Sequence, residues 1–343
     1  MARLFKRKEV ETASMDAAEN AIANKEVEGL SQRQIVFKRF IHHRAAMIAL
    51  FSLILITVIV NTALEFKIGP WKISGWWKYK VTDIPELRYK ECPGQVIGCP
   101  TLKLFPPSLG EHPFGQDDIG RDYLALVMRG AQRSLMVAFV IGILGGVIGT
   151  IVGAISGFYR GVVDSVLMRF VDFVITVPAI IIGSVIGYRY GNLGAGFLAI
   201  YLGLFSWTGL SRLVRGEFLK LREMEFVDAA RVAGASNRRI IFKHILPNAV
   251  GIIIVSVTLL MSSAILLETA LSYIGFGVVA PDVSLGLLIS TYQDSFTSRP
   301  FLFWWPGFFI ISIALSINFI GDGLRDAFDP RQRRRVSRKE RGK

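Results

Sequence analysis

Six long stretches of this chain are almost free of charge, and that segregation confines it to a membrane. A spanning helix needs about 20 predominantly apolar residues. Blocks of this kind run over residues 45–64, 134–158, 165–188, 191–211, 248–272 and 300–322. The first carries no charged residue between Ala45 and Leu64. At roughly −0.3 to −0.6 kcal/mol for each central Leu, Ile, Val or Phe, such a segment inserts readily. The third contains Asp172, whose cost of about 2.5–3.5 kcal/mol its aliphatic neighbours offset. A hydrophobic content of 52% is only mildly high, so the arrangement, not the total, decides the class. The first block follows 44 mostly polar residues and is too long for the apolar core of a signal peptide, so it reads as a retained span.

Six spans place both termini on one side. That side then holds residues 1–44, 159–170, 212–247 and 323–343, which contain 28 of the 40 Lys and Arg residues. Basic residues beside span ends favour the cytoplasm; both termini are therefore expected there, in a multi-pass cell (inner) membrane protein. The tail from Arg331 to Lys339 is strongly basic. Topology and anionic headgroups account for it, and no nucleic-acid partner is read from it.

The expected organisation is a cytoplasmic N-terminal segment (1–44), a first transmembrane helix (45–64), an extracytoplasmic segment (65–120), a core with five further spans (121–330) and a basic tail (331–343). The outer segment holds Trp71, Trp76, Trp77, Tyr79 and Tyr89, suited to the headgroup level or to a small lid that meets an external partner. It also holds the chain's two cysteines, Cys92 and Cys99. An oxidising exterior permits a bridge between them, but spacing alone leaves two free thiols equally open.

Within the spans, Gly145, Gly149, Gly153 and Gly157 recur every fourth residue. That interval lines them along one helix stripe where another backbone can approach closely. Pro178 and Pro306 are expected to kink their helices. Asp172, just after Arg169, is read as half of a local ion pair. Glu268 is the better candidate for a translocation path, with an interhelical hydrogen bond as the competing account. No catalytic residue, metal site or resident cofactor is read from the sequence.

The polar segment 222–247 carries the most specific signal. Glu225-Phe226-Val227-Asp228-Ala229-Ala230-Arg231-Val232-Ala233-Gly234 suits a short helix, with Phe226, Ala230 and Ala233 on one face. Gly234 is a natural residue to end it, and Ser236 or Asn237 a natural cap for the next. The spacing of Asp228-Ala229-Ala230, Gly234 and Leu246-Pro247 resembles the EAA loop of binding-protein-dependent ABC importer permeases. In that family the loop forms a coupling helix that docks into the nucleotide-binding subunit. The family has Glu at Asp228 and commonly Ile at His244.

A second match narrows the branch. His112-Pro113-Phe114-Gly115-Gln116-Asp117-Asp118-Ile119-Gly120-Arg121-Asp122 resembles a signature of the dipeptide and oligopeptide permeases, as do Leu271 to Gly277 and Gly321 to Pro330. The resemblance is to the second, C-type permease. It implies an all-α type I importer domain, and a homologous second permease sharing the path for oligopeptides or dipeptides. It further implies two ABC ATPase subunits or domains that carry ATP and Mg, and an extracytoplasmic solute-binding protein. Related permeases also move nickel complexes and other small solutes, which is the first alternative. No G-x-x-x-x-G-K-[ST] loop occurs, as expected if ATP is bound on other chains. An ion-coupled secondary transporter, the alternative from another class, would need inverted repeats or a relay of ionisable groups. An epitope fused after Lys343 is expected to be protease-resistant in intact spheroplasts and cleaved in inside-out vesicles.

Overall fold

A computed structural model describes residues 32–68, 71–85, 98–102 and 110–328. The segment 1–31, Tyr89, Cys92 and the tail 331–343 lie outside the described residues. Cys99 is disulfide-bonded.

Helix α1 (Gln32–His42) leads into α2 (Arg44–Ala63), the first span. The His43 side chain caps α2 by accepting from the Ala46 N–H. A short antiparallel pair follows, β1 (Phe66–Ile68) against β2 (Trp71–Ile73), with Phe66 opposite Ile73. Apart from an isolated antiparallel bridge between Gln116 and Asp122, this pair is the one β structure among the described residues. Helix α3 (Tyr123–Tyr159) comes next, then α4 (Gly161–Thr176) and α5 (Ala179–Tyr190), bent from one another by 68°. Then come α6 (Ala195–Gly203), α7 (Thr208–Arg222), the short α8 (Glu225–Val232), α9 (Leu246–Tyr273), α10 (Leu285–Tyr292) and α11 (Phe301–Phe328). Five described helical segments are long and apolar enough to cross a membrane, and six if the bent pair counts as one span.

The second, third and fourth expected spans differ in their bounds, and the sixth runs past 322 to Phe328. The second begins at Tyr123 rather than 134, because Asp122 caps it and accepts from the Ala125 N–H at 2.8 Å. Its first turns are buried although they carry Arg129, Gln132 and Arg133, whose polarity ends the hydropathy signal early. The third breaks at Pro178, whose ring disfavours helical geometry in the preceding residue. The fourth is interrupted between Gly203 and Thr208 and then runs on to Arg222.

Pro306 behaves differently, for α11 continues through it. A proline leaves the carbonyl four residues earlier without its helical donor. Here that carbonyl belongs to Leu302, and the buried Tyr123 hydroxyl donates to it.

Helix α3 is the hub, packing against α2, α4, α6, α7, α9, α10 and α11. Its glycine stripe faces α7. A Cβ on Gly149 would stand 2.8 Å from the Trp207 carbonyl oxygen, one on Gly153 2.4 Å from that of Ser211, and one on Gly157 2.7 Å from that of Arg215. Gly145 meets Leu260 of α9 as well as the Ser206 backbone. The two helices therefore touch main chain to main chain. Gly216, on an open face of α7, has nothing within 4 Å of its Cβ position. Gly153→Ala is expected to destabilise the purified protein by about 1–3 kcal/mol through overpacking. Gly216→Ala should leave it unchanged or raise it by up to about 1 kcal/mol through helix propensity. Thermal unfolding of both variants in one detergent checks the contrast.

Candidate functional site: the inner segment and the groups buried in the bundle

Segment 222–247 folds as a small helix set on the end of the bundle. In α8, Glu225 and Asp228 lie in the first turn and Arg231 in the last, a charge order that the helix dipole favours. Asp228 and Arg231 also pair at 2.7 Å. The helix ends as the sequence leads one to expect. Gly234 takes φ +78°, its N–H bonds to the Arg231 carbonyl at 2.9 Å, and the Ala235 N–H reaches back to the Ala230 carbonyl at 3.0 Å. These two bonds form a Schellman closure, and only glycine takes that φ without strain. Ser236 then caps the next turn by accepting from the Arg239 N–H.

Residues Ile240–Ile245 form a π-helical turn that runs directly into α9. The Leu246 N–H bonds to Ile241, five residues back. The wider turn lets the chain continue through Pro247, which has no N–H to give. Asn248 donates its amide to the His244 carbonyl at 2.6 Å. Where the family commonly has Ile at His244, the adjacent Ile245 is fully buried and supplies the apolar contact.

Helix α8 is buried along one face only. Val227 and Ala230 point inward, against Phe158 of α3, Phe218 and Leu221 of α7, and Ile240, Ile241 and Ile245. Phe226 and Ala233, expected to share a face with Ala230, are exposed. So are Glu225, Asp228, Ala229 and Gly234, and Val232 is 90% exposed. The helix is amphipathic about Val227 and Ala230; of the three residues read on one face, Ala230 is turned to the bundle, while Phe226 and Ala233 stay outside it. Leu246 is half-buried and Pro247 exposed where the loop re-enters the bundle.

A collar of charges surrounds this seat. Arg215 holds Asp164 through two bonds of 2.6 Å, and the Ser156 hydroxyl donates to the same carboxylate. Arg160 pairs with Glu223 at 2.7 Å, while Arg222 donates to the Phe158 carbonyl. The ends of α3, α4 and α7 are thereby tied beside α8. Both described ends of the chain reach the same end of the bundle. His43 lies 3.4 Å from Asp326, and a cavity of about 820 Å³ is shared by α1, the start of α9 and the end of α11.

Deeper in the bundle, Glu268 is fully buried. Ser134 of α3 donates to one carboxyl oxygen at 3.1 Å and Ser272 to the other at 2.8 Å. Ser134 also accepts from the Leu285 N–H, and Ser272 from the Val278 N–H. This closed knot ties α3, α9 and α10 together, so the geometry favours the interhelical hydrogen bond over a place on an open path. Asp172 is not paired with Arg169; its partner is Arg212 of α7. Sequence proximity pointed to the wrong arginine because the true partner arrives from another helix.

At the opposite end, the segment 112–122 is a clasp. Asp122 accepts from Trp77 Nε1 and bonds to His112 Nδ1, each at 2.8 Å, besides capping α3. Asp117 accepts from the Ile119 and Arg121 N–H groups, the Arg121 side chain and the Tyr292 hydroxyl. Burial, with the Asp117 carboxylate beside it, pushes the Tyr292 phenol above its ordinary pKa. Phe114 stacks on Trp305 with ring centres 3.8 Å apart. Gln116, where the signature has Thr or Ser, donates to the Gly120 carbonyl at 3.0 Å. No sequence argument singled out these roles, although the density of polar residues just before an apolar helix was a usable sign of a cap. No group of three His, Cys, Asp or Glu residues that could hold a metal ion occurs among the described residues.

Comparison with known proteins fits this geometry. The oligopeptide transport system permease protein OppC of Mycobacterium tuberculosis is 36% identical over 304 residues, covering 88% of this chain and 96% of the relative. OppC of Escherichia coli is 38% identical over 319 residues, covering 93% and 97%, and OppC of Salmonella typhimurium is 37% identical over the same span. A chain from an inward-facing crystal structure of the MetNI methionine ABC transporter shares the fold, with a TM-score of 0.50 at 20% identity over 60% of this chain and 96% of that one. The pattern of the family described as binding-protein-dependent transport system inner membrane component matches residues 149–334. This multi-pass membrane protein belongs to that family.

Proposed function

We propose that this chain is a transmembrane permease subunit of an ATP-driven importer of oligopeptides or dipeptides. It forms the translocation path with a homologous second permease and performs no covalent chemistry itself. ATP and Mg act on two separate ABC ATPase subunits or domains. An extracytoplasmic solute-binding protein delivers the peptide, and both termini face the cytoplasm of the cell whose inner membrane holds the protein. The peptide relatives support the substrate class.

The observation that carries this reading is the two-sidedness of α8. Its inner face is part of one apolar cluster with α3, α7 and the start of α9. Its outer face offers an almost fully exposed Val232 beside Ala229 and Phe226. Apolar side chains exposed beyond the bundle, among charges, mark a surface for a protein partner. A partner that grips them pulls on three helices at once. Transport then requires only that nucleotide bind the two conformations of the assembly with different free energies.

Two substitutions separate seat from grip. Ala230→Leu is expected to cost about 1–3 kcal/mol of stability by overpacking the seat, seen as a lower unfolding temperature of the isolated permease. Val232→Asp is expected to leave that temperature within about 0.5 kcal/mol of the parent, as for most surface changes. It should nevertheless reduce peptide uptake and peptide-stimulated ATP hydrolysis in the assembled transporter by about tenfold or more, as the loss of a central apolar contact does. Uptake unchanged by Val232→Asp, with the ATPase still bound, would count decisively against α8 as the coupling element.

A further inference from the structure

Helix α4 carries a polar face that the rest of the chain does not cover. Ser165, Arg169, Asp172 and Thr176 follow one another at intervals of four, three and four residues, which places them within one narrow stripe of a helix. All four are exposed. Among the residues of α4, only Val171 is buried. Across from the stripe stands Arg212 of α7, paired with Asp172; the two side chains are 50% and 53% exposed. Arg212 shares its own helix face with Gly209 and Gly216, both of which open onto empty space.

Both helices belong to membrane-crossing segments. Depth follows from the packing. Gly153 of α3 touches Ser211, the neighbour of Arg212, and Gly157 touches Arg215 one turn nearer the collar. The Asp172–Arg212 pair therefore lies one turn inside the collar, on segments long and apolar enough to cross a membrane. An arginine or aspartate there costs about 2.5–3.5 kcal/mol each against lipid. A half-exposed pair beside a hydroxyl-bearing stripe faces water or protein, not acyl chains.

We propose that the face formed by Ser165, Arg169, Asp172 and Thr176, with Arg212 opposite, is the wall of the inner half of the water-filled path. It offers fixed charges of both signs to a solute whose own charges are separated, as those at the two ends of a peptide are. This inference rests on the proposed permease reading and replaces Glu268 as the polar lining of the path. The two-glycine floor of α7 leaves room beside the pair, and the stripe ends at Thr176, where the chain bends by 68°.

Thiol accessibility tests the assignment without requiring uptake. Ser165→Cys and Thr176→Cys are made singly, because each hydroxyl bonds only to a carbonyl of its own helix and its loss leaves no partner unpaired elsewhere. Ile54→Cys in α2, an exposed apolar position, is the lipid-facing control. Inside-out vesicles containing the assembled transporter, with ATPase and second permease, are treated with a charged, membrane-impermeant methanethiosulfonate. Labelling is read on this chain by mass spectrometry against the parent. The reagent attacks the thiolate, which forms in water and hardly at all in lipid, so both path variants are expected to react at least about tenfold faster than Ile54→Cys. Rates equal to that of Ile54→Cys, whether from lipid contact or from burial under the second permease, would overturn the assignment. Because the importer reading is tested separately at Val232, that result would leave it standing.

Discussion

The contact between α3 and α7 is the constraint on which the rest of the molecule depends. Glycines placed every fourth residue let the Trp207, Ser211 and Arg215 carbonyls come within van der Waals reach of the α3 backbone. Beside those carbonyls, the Cβ atoms of Leu210, Val214 and Phe218 press on the same three glycines. Association of helices in lipid lacks a hydrophobic driving force and relies on such close packing. A contact made of main chain also has no rotamers to rearrange, so displacement of α7 becomes displacement of α3. The charge collar at Asp164, Arg215, Arg160 and Glu223 continues the same tie beyond the stripe.

The polar groups inside the bundle obey one rule with two outcomes. Most of those that the chain encloses are bonded to one another, as Glu268 is with Ser134 and Ser272, or as the Leu302 carbonyl left open by Pro306 is by Tyr123; the Thr269 hydroxyl is buried without a partner. An unpaired polar group in hydrocarbon costs several kcal/mol, so each bonded group also acts as a register pin between helices. Where the chain does not enclose them, as along α4, the groups stay exposed and are carried on a helix with few buried residues. The contrast separates polar residues that hold the bundle together from polar residues that need a solvent.

Much of this was legible in the sequence, and the failures have physical causes. Span positions followed from hydropathy because the cost of charge in lipid is large and local. The Gly234 closure and the Ser236 cap were legible for the same reason, since each depends on a handful of neighbouring atoms. The start of α3 was not, because Arg129 and Arg133 are carried by packing at its outer end. Which side of α8 meets the bundle was not legible, because the shape of the seat offered by Leu221 and Ile240 decides it, and Val227 fills that seat. Asp172 was assigned to Arg169 because sequence shows neighbours along the chain and cannot show Arg212 arriving from α7. Glu268 was isolated in the sequence for a like reason: its serine partners lie on α3 and at the next turn of its own helix.

The two ends of α3 are held in different ways, and the difference gives the helix a direction. Its outer end is fastened by directional bonds, with Asp122 tied to Trp77, His112 and the Ala125 N–H, and with Asp117 tied to Tyr292 of α10. Its inner end rests on an apolar seat shared with α8, with the Ser156 hydroxyl and the Phe158 carbonyl tied into the collar at its rim. Hydrogen bonds with fixed geometry resist sliding, whereas packed apolar surfaces shear at lower cost as long as no cavity opens. A helix of 37 residues is about 55 Å long. Pivoting about the clasp would carry its inner end through about 1 Å per degree of tilt. With α7 packed on α3 along the glycine stripe and α8 seated on both, a push at α8 would load the two helices together. In α4 only Val171 is buried, so the rest of this chain holds that helix lightly beside them.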